Sequence, residues 1–372
     1  MTAGLIVAGG GMAGLVAAAR ASELGAPTLL YEKGDRLGGS MLLSSGVIWR
    51  HARWEDFRRE CPTGDSVLQR LIWDRLDDAI EWLESLGTPV VRGETGNPRT
   101  VGKRFDPAGL RDALCARLAP GSVRNAQAPL EGHRLAGALI LATGGFAASR
   151  ELVECYIAPA AALRLRASPW STGDGLRYAL RRGGVLSAGM DEFYGRNMPA
   201  GPWGEADYVR LAQLYATRAR IFDEDGEEFF DAANVTWSET NVAQATALRP
   251  RAQAYYLLDG EALGATVAGR SVADMVATAP ARARLQPAEL PFVAPAGTVC
   301  AVHVTSAITH TIGGLRIDEG ARVLGADRQP LEGLYAAGVD VGGVATGGYA
   351  SGLAQALVLG CVAAETAVTD RH

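Results

Sequence analysis

The chain of 372 residues is too long for one simple core and implies two domains, or one domain carrying a large insertion. With 48% apolar and 21% charged residues it is neither disordered nor fibrous, and a net charge of −5 without a long basic run argues against nucleic acid as a partner. Five cysteines, far apart and without a C-x-x-C pair, exclude a zinc ribbon, a dithiol redox pair and a haem attachment, and read as buried free thiols.

The chain starts without a charged leader and runs straight into GLIVAGGGMAGLVAAARASELGAPTLLYEK, which reads as strand, glycine turn, helix, strand. Gly9, Gly11 and Gly14 form G-x-G-x-x-G between strand and helix. The first glycine permits the tight turn, the second lets a pyrophosphate reach the backbone, and the third lets helix and strand pack closely. Glu32 ends the second strand, 23 residues after Gly9, where a carboxylate grips ribose hydroxyls. A dinucleotide site is expected.

A second glycine and serine cluster follows, KGDRLGGSMLLSSGV, with Gly38, Gly39, Ser40, Ser44, Ser45 and Gly46. An NAD domain does not need it, whereas a flavin lying extended across the fold needs close backbone along its length. Trp54, Trp73 and Trp82 fall in a region of helical periodicity, so core packing is expected for them. PAGLRDALCARL reads as a further helix. From 191 to 299 the chain changes character, becoming aromatic and irregular. Its acidic stretch FDEDGEEFFD lacks calcium-loop spacing, and no metal site is expected. In ATGGYASGLAQAL, residues 345 to 357, Ser351 and Gly352 suit a helix start, which sets Tyr349 and Ser351 just before its positive end. No apolar run of membrane-spanning length is evident, so a cytoplasmic protein without a membrane partner is expected.

Taken together, EKGDRLGGSMLLSSG, LILATGGF, STGDGLRYALRRGG, THTIGGLRID and GLYAAGVDVGG resemble, in order, the FAD-binding domain of the fumarate reductase, succinate dehydrogenase and 3-ketosteroid dehydrogenase flavoproteins. The resemblance implies an α/β fold: a Rossmann-like, glutathione-reductase-type FAD-binding domain from 1–190 and 300–372, with an inserted α+β cap at 191–299. It implies FAD contacts at Gly9, Gly11, Met12, Ala13, Gly14, Glu32, Lys33, Gly38, Gly39, Ser40, Ser44, Ser45, Gly46, Thr143, Gly144, Asp174, Gly338, Asp340, Ser351, Gly352 and Leu353, with Ala128 on the adenine side. The family's small β-meander before ALILATGGF is reduced here to APGSVRNAQAPLEGHRLAG. The block that tethers FAD through a histidine in succinate dehydrogenases contains none, so the FAD is expected to be noncovalent. His51, just beyond, is expected at the surface or near the pocket.

Such flavoproteins move a hydride to or from one carbon while an acid or base handles the proton on its neighbour, beside an electron-withdrawing group. Dicarboxylate enzymes of the family place an arginine at the mouth of the last helix. Here Tyr349 stands in that place, and no arginine occurs from Leu331 to Val368. Tyr349, Ser351, Gly352 and Leu353 instead resemble the Y-x-S-G-L stretch of 3-ketosteroid Δ4-dehydrogenases, which implies proton handling beside a ketone by Tyr349 and Ser351. His310, in THTIGG, is the second candidate; Tyr194 with Arg196, Tyr208 or Tyr215 are candidates from the cap. The expected protein is an FAD-dependent oxidoreductase that desaturates a cyclic ketone or reduces an enone, with a small-molecule carbonyl substrate and an unidentified electron acceptor. The alternatives are a fumarate- or tricarballylate-like enzyme of carboxylic acids and a flavin-binding protein without turnover of its own.

Overall fold

The computed structural model describes residues 4–128, 130, 137–157 and 162–371. It divides into two compact units, the first made of 1–152, 168–192 and 310–372, the second of 153–167 and 193–309.

The first unit is built on the parallel sheet that the opening pattern predicts. Strand β1 (Leu5–Ala8) is short and apolar on both faces, as a central parallel strand must be. Helix α1 (Met12–Glu23) and strand β2 (Thr28–Glu32) complete the first βαβ unit, β2 pairing parallel to β1 from Leu5↔Thr28 to Ala8↔Tyr31. A smaller antiparallel sheet comes from β3 (Val47–His51), β4 (Val90–Arg92) and β5 (Thr100–Phe105), with β5 in the middle. Between β3 and β4 lie α2 (Trp54–Glu60) and the 20-residue α3 (Ser66–Ser85), which Asp65 caps through the Val67 and Leu68 amides. Helix α4 (Pro107–Cys115) leads to β6 (Val123–Asn125), and β7 (Leu139–Leu141) lies on the far side of β1. Much of the chain between β6 and β7, at 129 and 131–136, lies outside the described residues.

Helix α5 (Asp174–Arg181), strands β8 (Arg322–Leu324) and β9 (Pro330–Ala336) and helix α6 (Gly352–Thr369) finish the unit. The main sheet runs β8-β9-β7-β1-β2-β6, all parallel except the β8–β9 hairpin. Helix α6 packs on α1. Gly360 makes this possible, since a Cβ there would stand 2.8 Å from the Ala13 carbonyl oxygen. By length and composition α6 could cross a membrane, which corrects the expectation that no such run exists; in the structure it is a core helix with Leu357, Val358, Leu359, Ala363 and Ala364 fully buried.

The second unit is α+β. Its seven-stranded sheet centres on the long strand Cys300–Thr311, flanked by Gln253–Leu258, Arg220–Phe222 and Glu228–Phe230 on one side and Arg284–Leu285 on the other. Arg164–Leu165 and Phe193–Pro199 also pair with the long strand. Tyr215, Ile221, Val242, Tyr256, Val302 and Val304 form its core. The acidic FDEDGEEFFD is the hairpin between Arg220–Phe222 and Glu228–Phe230, with the Asp223 carboxylate accepting the Asp225 and Glu227 amides. The thiol expectation needs amending: Cys61 and Cys361 are buried, Cys115 and Cys300 half-buried, and Cys155 is exposed.

Candidate functional site

The glycine blocks converge at the carboxyl ends of β1, β2, β7 and β9, where parallel α/β sheets take their ligands. Gly9 has φ +105, and a Cβ on it would stand 2.2 Å from the Ala142 carbonyl oxygen at the end of β7. A Cβ on Gly14 would stand 1.8 Å from the Gly9 carbonyl oxygen. Gly11 is different: a Cβ there meets nothing within 4 Å, although Gly11 stands at the start of α1, which no side chain caps. This open cradle over a helix N-terminus, where Met12 and Ala13 begin α1, is the shape a pyrophosphate needs. The Glu32 carboxylate is buried beside it, one oxygen accepting the Gly10 amide at 2.7 Å and the other the Gly34 amide at 2.5 Å.

Gly38, at φ +110, bridges back to Gly11 and donates to the Gly10 carbonyl at 2.8 Å, so the second glycine block lies against the first. Gly39 follows it. The Ser40 hydroxyl accepts the Ser168 amide, and the Ser44 hydroxyl accepts the Gly46 amide, turning the chain into β3. The Ser45 carbonyl accepts from the Arg104 guanidinium. Lys33 is held by Thr172 and by Asp174, at 2.6 Å, so these two predicted contacts engage each other. Ala128 lies two residues past Ala126, whose amide donates to the Gly34 carbonyl, and next to Gln127, whose amide donates to the Glu32 carbonyl. The segment leading to Ala128 thus runs beside the Glu32 end of β2. Trp170, not among the expected contacts, lies against Gly34 on the same side.

On β7 and β9 the turns are tied together. Buried Asp340 accepts the Thr143 amide, the Thr143 hydroxyl and the Gly145 amide, which brackets the turn containing Gly144. Burial pushes its carboxyl up from the usual range while these donors pull it down. Gly338, at φ +64, packs on Ala13, and its carbonyl accepts from Gln355 of α6 at 2.8 Å. Among the described residues, the Thr311 hydroxyl, next to His310 in the chain, is buried without a hydrogen-bond partner and faces Gly145.

Tyr349 sits in the loop that enters α6, and this loop is fastened at many points. The Asp65 amide donates to the Gly343 carbonyl, Gln69 to the Val344 carbonyl, and the Gly347 amide to the Glu192 carboxylate at 2.7 Å. A Cβ on Gly348 would stand 1.8 Å from the Glu60 carbonyl oxygen. The Tyr349 amide points at the Cys61 sulfur, and its carbonyl accepts from His51 Nε2 at 3.4 Å. The phenol ring leans on Trp49, with centroids 5.4 Å apart. Ser351 caps α6, its hydroxyl accepting the Ala354 amide at 3.2 Å, with Gly352 and Leu353 as the first helical residues. His310 lies against Gly352, where a Cβ would stand 3.1 Å from the ring. Tyr349, Ser351 and His310 therefore gather at one helix start.

Tyr194 belongs to the second unit, its ring under the Arg196 guanidinium at 5.0 Å. Tyr208 is buried, and its carbonyl accepts from Arg166. Tyr215 is corrected as a substrate candidate: it is wholly buried in the core of that unit and donates to Gln213 at 2.7 Å. Glu239, unremarked in the sequence, is buried on a left-handed backbone (φ 53), and burial pushes its carboxyl up to about 7.

His51 is not at the surface but beside Tyr349, the second of the two places expected for it. It is buried, packed between Trp49 and Phe57, because β3 turns it inward under the Tyr349 loop. Engaged there, and with no histidine in the block before it, it offers no tether. Acid precipitation should release all the FAD, and flavin retained in the washed pellet would contradict this. Trp54, Trp73 and Trp82 are half-buried rather than core residues, with Trp73 Nε1 donating to the His51 carbonyl at 3.0 Å.

A small cavity behind Tyr349, lined by Trp49, His51, Phe57, Ser351 and Gln355, holds about 10 Å³, room for a water rather than a substrate.

A sequence profile of the FAD binding domain family matches residues 4–139 and 134–353. The chain is 24% identical over 422 residues to a fumarate reductase (cytochrome) of Shewanella frigidimarina, spanning 92% of this chain and 72% of that protein. Among solved structures, the open conformation of a flavocytochrome c3 fumarate reductase superposes with a TM-score of 0.71 at 20% identity, covering 99% of this chain and 78% of the other. The 3-ketosteroid-Δ4-(5α)-dehydrogenase of Rhodococcus jostii RHA1, in complex with 4-androstene-3,17-dione, superposes with a TM-score of 0.70 at 19% identity, covering 98% and 96%. At such identities the superpositions speak for the fold.

Proposed function

The chain belongs to the FAD binding domain family, and from that premise we propose that this FAD-dependent oxidoreductase acts on a carbon–carbon bond beside a carbonyl, desaturating a cyclic ketone or reducing the matching enone. The observation that carries the reading is residue 349 itself: a tyrosine at the mouth of α6, in a stretch with no arginine from Leu331 to Val368.

Gly9, Gly11, Gly14, Glu32 and the turns at 38–40, 143–145 and 338–340 would hold the cofactor, and the open space over Gly11 fits its pyrophosphate. Bound there, FAD supplies a two-electron centre that takes or gives hydride. The chain must supply the rest: a proton donor or acceptor at the neighbouring carbon, and a group that polarises the carbonyl. A tyrosine, with an ordinary pKa of about 10, donates to a ketone oxygen at neutral pH without bringing a charge. His310, across Gly352, is the second group within reach of that helix start, Ser351 caps the helix beside which both stand, and Tyr194 is the candidate from the second unit. The cycle also needs an electron acceptor or donor, whose identity the residues do not specify.

The second reading, a reductase of unsaturated carboxylic acids, draws support from the Shewanella relative. A dicarboxylate needs guanidinium partners, and leaving one buried carboxylate unpaired costs about 3 kcal/mol or more. Pre-reduced enzyme should therefore be reoxidised by cyclohexenone or 4-androstene-3,17-dione roughly 100-fold faster than by fumarate. Fumarate reacting as fast as either enone would favour the carboxylate reading.

A further inference from the structure

We propose that Trp49 and His51 are positioning residues for Tyr349, setting the phenol in place from a strand nearly 300 residues earlier in the chain. The inference rests on the reading of Tyr349 as the proton-handling group.

Tyr349 is in a loop, and no secondary structure fixes its side chain. Its ring instead joins a run of packed aromatic rings. Phe57 stacks on His51 with centroids 5.1 Å apart, His51 meets Trp49 edge-on at 5.2 Å, and Trp49 leans on Tyr349 at 5.4 Å. This run is anchored through β3. Strand β3 pairs residue for residue with β5, from Val47↔Arg104 to His51↔Thr100. The His51 carbonyl accepts from both Trp73 Nε1 and Arg50 Nη1. Trp49 and His51 are 7% and 3% exposed, so neither ring has room to turn away.

The two residues also act on different parts of Tyr349. His51 Nε2 donates to its carbonyl; because a carbonyl only accepts, the ring proton is on Nε2. Burial holds His51 below the usual histidine range, while the bond to the Tyr349 carbonyl and, less, the charge of Asp56 pull the other way. Trp49 touches the ring and so limits its rotamer. A phenol oxygen lies at the far end of that lever, and a misplacement of about 1 Å at a reacting group costs roughly 100-fold in rate.

The test uses the FAD-loaded full chain in two backgrounds, wild type and Tyr349→Phe. Trp49→Leu keeps apolar bulk; Trp49→Phe keeps a ring. Reoxidation of the pre-reduced enzyme by cyclohexenone is followed in single turnover, with the bound-FAD spectrum as control. Trp49→Leu should slow the wild type by roughly 10- to 100-fold and the Tyr349→Phe background hardly at all, since a positioning residue has nothing to position once the hydroxyl is gone. Trp49→Phe should restore most of the rate. His51→Phe, which removes the donor, should show the same dependence on background with a smaller effect.

A second readout does not depend on turnover. In fluorotyrosine-labelled protein the Tyr349 resonance, identified by its loss in Tyr349→Phe, should shift in Trp49→Leu. An unmoved resonance, or equal slowing in both backgrounds, overturns the proposal and makes Trp49 a packing residue. A Tyr349→Phe enzyme as fast as wild type is a separate failure: it removes the reading of Tyr349, and the positioning role with it.

Discussion

Replacing Tyr349 with phenylalanine should lower the rate of flavin reduction or reoxidation by roughly 10²- to 10⁴-fold, the usual worth of a general acid or base. Phenylalanine keeps the ring against Trp49 and leaves the backbone bonds to His51 and Cys61 untouched, so the loop and the helix start should stay as they are. The bound-FAD spectrum should therefore be unchanged. Ser351→Ala should cost far less in rate. Its hydroxyl caps α6, and losing such a cap is worth about 1 kcal/mol of stability. A Phe variant reacting at near wild-type rate would leave Tyr349 a packing residue and pass the proton to His310 or Tyr194.

The second large effect separates two glycines three residues apart. Gly14→Ala puts a methyl 1.8 Å from the Gly9 carbonyl oxygen, against backbone that cannot yield without opening the turn between β1 and α1. It should destabilise the apoprotein by about 1–3 kcal/mol or more and abolish FAD binding with it. Gly11→Ala meets no protein atom, and Gly11 has an ordinary φ of −75°, so the apoprotein should melt at the wild-type temperature or slightly above. Its methyl occupies the cradle, however, so FAD should bind roughly 10- to 100-fold more weakly, the worth of about one hydrogen bond to a charged group. Flavin titration and thermal melts of the two apoproteins measure both. Wild-type FAD affinity in Gly11→Ala would mean that the pyrophosphate lies elsewhere.

What could be read in the sequence follows a physical divide. The glycine turn, Glu32 and the parallel sheet were legible because the constraint is local: a strand, a tight turn and a helix leave their demands within about 30 residues. The start of α6 was legible for the same reason, Ser351 being a good N-cap directly before an apolar run. The surroundings of Tyr349 were not. They come from Trp49, His51, Cys61, Gln69 and Glu192, far away in the chain, and no periodicity links those positions to 349. His51 was left open between the surface and the pocket because its neighbours Arg50, Arg53 and Trp54 face outward at least in part; only the pairing of β3 with β5 turns it inward. Tyr215 was a plausible ligand contact as an aromatic residue in a polar stretch, and burial among side chains that pattern alone does not bring together decides otherwise.

The packing of α6 on α1 also dictates an order of events at the ribosome. The second unit has all its residues once Thr309 has been made, whereas the first draws its last helix from residues 352–369. Strand β1, the glycine turn and α1 have the helix face that meets α6 uncovered until residues 352–369 have been made. Contacts of such long sequence separation form late and slowly. The first unit is thus able to close only after the second has all its residues, and until then α1 shows an apolar face that a chaperone would cover.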